Sequence, residues 1–394
     1  MLLDEQAPGG AAAHRDTLGT GRTSSVTPSR YRGTGVPGPV DDPVAQARYQ
    51  TPLRYPGAKA GLTPIIRDLL GTAIRQRKIP KIGLFVEPFA GGATTALRLV
   101  SAGYVDRILL ADADPLVASF WQVAASDTEA LVDRMIDEHQ RFVVKGGDVA
   151  LERWDYWRNW APRPGQPERS QRADMAMKCL FLNRTTFSGI LHGRAGPIGG
   201  RSQKSQYDIG CRFNTESLSA RIRFIGHLYD RGRLLDVWCK DWQATLADIA
   251  EWYPHLIPDK VIAYLDPPYI EKSERLYARS FDAAGGYSSR QSPDIEWLNG
   301  LNHLKLSSYL RTQMRFRWIL SYDQVAQLLS DPALYASNRM NPSPLDRELL
   351  GIKAWRIRKR VVDVRYTASA RGHGRRRAEE LLITTVPMEP GFLT

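Results

Sequence analysis

Four consecutive residues, Asp266-Pro267-Pro268-Tyr269, carry the most specific chemistry in the chain. The two prolines hold the backbone extended and remove two N–H donors, which leaves neighbouring carbonyls available as acceptors. An acid before them and an aromatic ring after them make an acceptor pair beside a flat stacking surface. That arrangement suits a planar ring bearing an exocyclic amine. The same residues could also make a rigid turn capped by Tyr269. Position separates the two readings, because the tetrapeptide directly follows Val261-Ile262-Ala263-Tyr264-Leu265, which reads as a buried strand.

Other polar groups follow apolar runs in the same way. Ile82–Val86 leads into Glu87-Pro88-Phe89-Ala90-Gly91-Gly92 and then a helix-like stretch from Ala93 to Val100. Val105–Ala111 ends at Asp112, Leu234–Trp238 ends near Asp241, and Phe316–Leu320 precedes Ser321-Tyr322-Asp323. An acid about 20 residues after a glycine turn suits the hydroxyls of a ribose. Asp112 and Asp114 read equally well as caps of the next helix. Strands alternating with helices predict an α/β fold with a parallel sheet, whose carboxyl edge collects these groups. Val361–Tyr366 and Leu381–Val386 are expected to form a closing hairpin or a pair of strands.

The elements that position these residues fall into expected segments. Residues 1–49 are rich in Gly, Pro, Ser, Thr and Ala without periodicity and read as a flexible tail. Gly33-Thr34-Gly35-Val36-Pro37-Gly38 matches G-x-G-x-x-G literally, but no strand precedes it and Pro37 lies inside it, so the match is empty. Between Phe120 and Tyr229 the strand rhythm stops, a stretch too long for a loop. The expected division is a first catalytic part over 50–119, an inserted domain over 120–230, and a second catalytic part over 231–394.

Of 394 residues, 43% are apolar and 24% charged, which excludes wholesale disorder. The net charge is +12. Residues 1–50 hold five Arg and five acids, so the whole surplus lies in the remainder. A basic body suits a polyanionic partner, and a solvated surface is the plainer reading. Three scattered cysteines and the absence of an H-x-x-x-H pair give no disulfide framework and no metal site. Residues 2–5 do not begin a signal peptide, and no long apolar run could span a membrane, so a cytoplasmic protein is expected.

Asp266-Pro267-Pro268-Tyr269 together with Phe85-Val86-Glu87-Pro88-Phe89-Ala90-Gly91-Gly92 resembles the amino-methyltransferases that use S-adenosylmethionine, and most of all the Dam-like, D12-class DNA adenine-N6 methyltransferases. Further segments resemble this family in its order. Arg54-Tyr55-Pro56-Gly57-Ala58-Lys59 is similar to the N-terminal cofactor motif, with Ala58 where the family usually has a second Gly. Leu110-Ala111-Asp112-Ala113-Asp114 resembles the ribose-binding strand end, and Cys239-Lys240-Asp241-Trp242 the cofactor-adenine contact. Asn183-Arg184-Thr185-Thr186-Phe187-Ser188-Gly189 resembles the Asn-Arg segment of the recognition insert. Ser321-Tyr322-Asp323 and Arg377-Ala378-Glu379-Glu380-Leu381-Leu382 resemble the late motifs.

The resemblance implies a Rossmann-like methyltransferase sheet with an inserted, mainly helical DNA-recognition domain. It implies a cofactor pocket of Tyr55, Lys59, Glu87, Pro88, Phe89, Gly91, Asp112, Asp241 and Trp242, with Lys59 on the methionine carboxylate. Without the resemblance, Phe89 reads as core and Lys59 as a surface lysine. Catalysis would fall to Asp266, Pro267, Pro268 and Tyr269. The Asp266 carboxylate and the Pro267 carbonyl would bind the two amine hydrogens, and Tyr269 would stack on a base flipped out of double-stranded DNA. No cysteine stands where a covalent cytosine-C5 mechanism needs one.

DNA contacts are expected from Asn183, Arg184, Arg194, Arg201, Lys204 and Arg212, with internal bracing as the other reading of Arg184. Residues 194–223 carry a surplus of +4 and residues 351–377 one of +9. A cognate restriction nuclease or another defence subunit is the partner the family suggests. Cytosine-N4 methylation, adenine methylation in RNA, and a DNA-binding regulatory subunit without turnover are the rival functions.

Overall fold

The computed structural model of the chain describes residues 51–54, 61–192, 195–268, 295–323, 326–365 and 377–388. Seven strands make one sheet: β1 (Leu84–Glu87), β2 (Ile108–Asp112), β3 (Leu234–Cys239), β4 (Val261–Leu265), β5 (Arg317–Asp323), β6 (Arg358–Arg365) and β7 (Arg377–Thr384). Their order across the sheet is β3-β2-β1-β4-β5-β7-β6. The first five run parallel, and β7 lies antiparallel between β5 and β6. The two C-terminal apolar runs are therefore an antiparallel pair, and the later of them is the one that joins the parallel strands. β4 coincides with the expected strand residue for residue. At β1, Ile82 makes only an isolated bridge to Val105, so the ladder starts two residues late.

Continuous apolar runs are what a strand covered on both faces requires. All residues of β1, β2 and β4 are buried. Alternate side chains enter two different cores. Phe85, Ile108, Leu110, Ile262, Tyr264 and Ile319 face one. Leu84, Val86, Leu109, Ala263, Leu265 and Trp318 face the other.

On the first face lie α1 (Thr63–Arg75), α2 (Thr94–Ser101) and α3 (Pro115–Ser126). On the second lie α8 (Trp242–Trp252) and α9 (Ile295–Thr312). Between β2 and β3 the chain adds α4 (Thr128–Glu138), α5 (Gly147–Asn159), α6 (Glu168–Thr185) and α7 (Thr215–Asp230). The expected boundary at residue 120 falls inside α3. That helix is buried nearly all round, packing on β2 and β3 with one side and on α6 and α7 with the other. Its apolar residues serve the sheet and the added helices at once, so both belong to one continuous core and one compact unit.

The join between α4 and α7 depends on one missing side chain. A Cβ on Gly226 of α7 would meet the Thr128 Oγ1 at 2.1 Å, and Thr128 begins α4 with that hydroxyl donating to the Ala124 carbonyl at 2.8 Å. Gly226→Ala is expected to lower unfolding stability by about 1–3 kcal/mol despite its better helix propensity, because overpacking outweighs the propensity gain. Chemical denaturation of the variant beside the parent chain measures this.

Candidate active site at the carboxyl edge of the sheet

Strand order reverses between β1 and β4, so the crevice outside their carboxyl ends is where an open α/β sheet receives a ligand. The strand ends bring carboxylates there. Glu87 closes β1, Asp112 closes β2, and Asp266 follows β4 directly.

Each acid is tied to backbone donors. The Ala96 N–H donates to the Glu87 Oε1 at 2.7 Å, which docks the first turn of α2 on the strand end. The Asp112 Oδ2 accepts from the Gly91 N–H at 2.8 Å and its Oδ1 from the Asp114 N–H at 2.9 Å. Asp114 then caps α3 through the Leu116 N–H, with Pro115 at the first helical position. Asp114 is thus the cap of α3, while Asp112 grips the glycine turn. Gly91 (φ 43°) and Ala93 (φ 47°) are left-handed, and the Trp121 Nε1–H donates to the Gly91 carbonyl at 2.9 Å.

Burial dominates the electrostatics. It pushes Glu87 up to about 8, against the Ala96 hydrogen bond that favours its charge, and the Asp266 carboxylate adds to the rise. The Ser321 hydroxyl, from β5, donates to the Asp266 Oδ1 at 2.9 Å. The Ser321 Oγ lies 3.0 Å from the hydroxyl of the buried Tyr264.

The other expected residues that are described follow the ends of β1, β3 and β4. Pro88 is buried behind the turn, and Phe89 packs half-buried against the second core. Asp241 caps α8, accepting from the Gln243 and Ala244 N–H groups. Trp242 is a core residue, edge-on to Tyr309 at 5.4 Å. Pro267 is buried beside Asp266. Tyr55, Lys59, Tyr269 and Arg194 lie outside the described residues.

The Asn-Arg segment packs inward, in line with the bracing reading of Arg184. Asn183 is fully buried and makes both backbone bonds of Arg54: its Oδ1 accepts from the Arg54 N–H at 2.6 Å and its Nδ2–H donates to the Arg54 carbonyl at 2.7 Å. Arg184, also buried, donates to the Pro52 carbonyl, and Arg221 donates to the Thr51 carbonyl at 3.2 Å. Gly189 (φ 75°) lets the chain pass, since a Cβ there would lie 2.4 Å from the Arg54 carbonyl oxygen. Asn183 and Arg184 therefore fasten residues 51–54 to the helical segment. Burial, then the charges of Arg221, Arg54 and Arg212, pulls the Arg184 guanidinium down to about 9. Arg201 is exposed and forked onto Asp155, both bonds at 2.6 Å. Lys204 is exposed, and the exposed Arg212 lies over the Tyr207 ring.

Sequence reasoning missed the pairing of His192 with Asp114, whose Nε2 and Oδ2 are 2.5 Å apart, because no spacing rule links positions so distant. Among the described residues no group of His, Cys, Asp or Glu could hold a metal ion, and no helix is long and apolar enough to cross a membrane.

Two predictions come from this geometry. In the folded chain Glu87 keeps a proton that the unfolded chain releases near 4.5, so its contribution favours folding at low pH and is lost as pH rises through about 8. Glu87→Gln should therefore be more stable than the parent above pH 8, on the order of 1–3 kcal/mol. The gain should vanish toward pH 4.5, as read from melting curves across pH. Asn183→Ala should lower stability by about 2–4 kcal/mol, because two carbonyls and an N–H lose their partner. Fluorescence anisotropy should show its duplex affinity changed by less than about twofold, whereas a base or phosphate contact would lose about 1–3 kcal/mol.

No protein of curated function matches the chain in a sequence search. The family model of the D12 class N6 adenine-specific DNA methyltransferases matches residues 55–317, a span that runs from the chain clamped by Asn183 through Asp266 to the start of β5. With that match over well more than half of its length, the chain belongs to the D12 class N6 adenine-specific DNA methyltransferase family and is an adenine-specific DNA methyltransferase.

Proposed function

We propose that the protein transfers a methyl group from S-adenosylmethionine to N6 of an adenine flipped out of double-stranded DNA, as the modifying enzyme of a restriction or phage-defence system. The observation that carries this reading is the placement of Asp266 directly behind β4, beside Glu87 and at the reversal of strand order. The cofactor supplies an electrophilic methyl on a sulfonium. Its cationic centre and ribose hydroxyls fit an edge where the strand ends contribute carboxylates and a tight glycine turn. In this reading Glu87, Phe89, Gly91 and Asp112 line the cofactor side, with Tyr55 and Lys59 from the preceding segment.

The Asp266 carboxylate and the Pro267 carbonyl accept the two hydrogens of the target amine. That draws the nitrogen out of conjugation with its ring and points its lone pair for in-line attack. Tyr269 stacks on the base. Once methylated, the cationic nitrogen is strongly acidic and gives one proton to water, so no strongly shifted base is required of the chain. A base inside duplex cannot reach such a crevice, so the nucleotide must leave the stack. Lys204 and Arg212, both exposed, are the phosphate contacts this reading retains, with Arg194 beside them in sequence. The helices between β2 and β3 would form the recognition body, and the cytoplasm is the compartment where chromosomal DNA is met.

Incubation with methyl-labelled S-adenosylmethionine and mixed plasmid DNA, followed by digestion to nucleosides and mass spectrometry, tests the reading. Label in N6-methyldeoxyadenosine is the expected outcome. Label in N4-methyldeoxycytidine would change the target base. Label absent from DNA but present in RNA would change the substrate, and binding without transfer would make the chain a regulatory subunit. Asp266→Ala should abolish transfer while leaving duplex affinity within about twofold, since only transition-state contacts are removed. Substantial residual turnover would sink the acceptor role.

A further inference from the structure

Beyond the residues that would touch substrate, β5 sends one buried hydroxyl toward the acceptor carboxylate. Ser321 is fully buried, and its strand pairs β4 so that Leu320 lies opposite Leu265, one residue before Asp266. The Ser321 hydroxyl donates to the Asp266 Oδ1 at 2.9 Å. A serine has a single hydroxyl proton. With that proton given to Asp266, the 3.0 Å contact between Tyr264 and Ser321 must run from the Tyr264 hydroxyl to the Ser321 Oγ. Burial and the nearby Asp266, Glu87 and Glu380 carboxylates hold Tyr264 in its protonated form, so the donor at the start of this chain is not lost. The Tyr264 ring is itself fixed in the first core, stacked on Phe85 with centroids 6.4 Å apart.

We infer that Ser321 is a positioning residue for methyl transfer. The ordered chain Tyr264→Ser321→Asp266 fixes the orientation of the acceptor carboxylate before the amine arrives. This rests on the proposed acceptor role of Asp266 and extends it to two residues that never touch the base. The physical reason is that a half-buried carboxylate just past a strand end can rotate about its own bonds. A misaimed acceptor loses the geometry that localises the amine lone pair. Anchoring one oxygen from a strand of the same sheet ties that orientation to the rigid part of the fold.

The test compares Ser321→Ala, Tyr264→Phe and the double variant with the parent chain. Four quantities are measured: single-turnover transfer of labelled methyl to plasmid DNA, S-adenosylmethionine affinity by calorimetry, duplex affinity by anisotropy, and melting temperature. Ser321→Ala should slow transfer by about tenfold or more with both affinities within about twofold, because the lost contact acts on orientation alone. It should also melt lower, since the Tyr264 hydroxyl is left buried without an acceptor. The double variant removes that orphaned hydroxyl. Its melting temperature should recover while the transfer rate stays low. Recovery of rate together with stability would overturn the positioning role, as would a parent-like rate in Ser321→Ala. If the parent chain itself moves no methyl to DNA, the acceptor reading falls and takes this inference with it.

Discussion

Carboxylates buried at the ends of parallel strands must find hydrogen-bond donors, and in this protein the donors are the backbone of the turns that follow. Glu87 takes the Ala96 N–H, Asp112 takes those of Gly91 and Asp114, and Asp114 takes that of Leu116. An unsatisfied buried carboxylate would cost several kcal/mol, so each acid dictates the path of its own turn. The left-handed conformation of Ala93, uncommon for a residue with a Cβ, sits within the tightest of these turns and begins α2. The groups that shape the crevice are thus the groups that would serve a ligand in it. A change of charge there alters fold and site together.

Much of this was legible in sequence because it depends on local pattern. Buried parallel strands are continuous apolar runs, and polar residues after them must gather at one edge whatever the loops do. The acids at 87, 112 and 266 needed no more than that. Asn183 and Arg184 left two readings open for an equally physical reason. An arginine that donates to a buried carbonyl and one that donates to a phosphate have the same composition and neighbours. Only the return of residues 51–54 beside α6 distinguishes them. Ser321 was visible as a motif residue, yet its partner Asp266 could not be assigned until β5 was known to pair with β4 in a particular register.

Charge counting overstates what the helical segment can offer a polyanion. Several of its cations are spent internally. Arg153 pairs with Glu138 and lies over the rings of Phe142, Tyr156 and Trp157. Arg223 is forked onto Glu129 and Arg201 onto Asp155, and Arg134 makes a single bond to the Asp174 Oδ1. Fixed in these pairs, the guanidiniums brace helices that also share an apolar seam and the Trp157 Nε1–H bond to the Glu138 Oε2. Non-specific attraction therefore depends on fewer groups than the surplus suggests, and its salt dependence should be correspondingly shallow.

The placement of β7 between β5 and β6 bears on the order in which the molecule can be made. A ribosome releases β5 and then β6 before the strand that must separate them exists, so β5 can pair only with β4 and β6 has no neighbour at the moment it emerges. Until residues 377–384 arrive, β5 keeps an open row of backbone donors and acceptors beside Tyr322 and Ser321. The wall of the crevice that holds Asp266 is consequently the last piece of the sheet to be closed. A newly synthesised chain passes through a stage in which most of the parallel strands are in place while their outer edge still invites pairing with another chain.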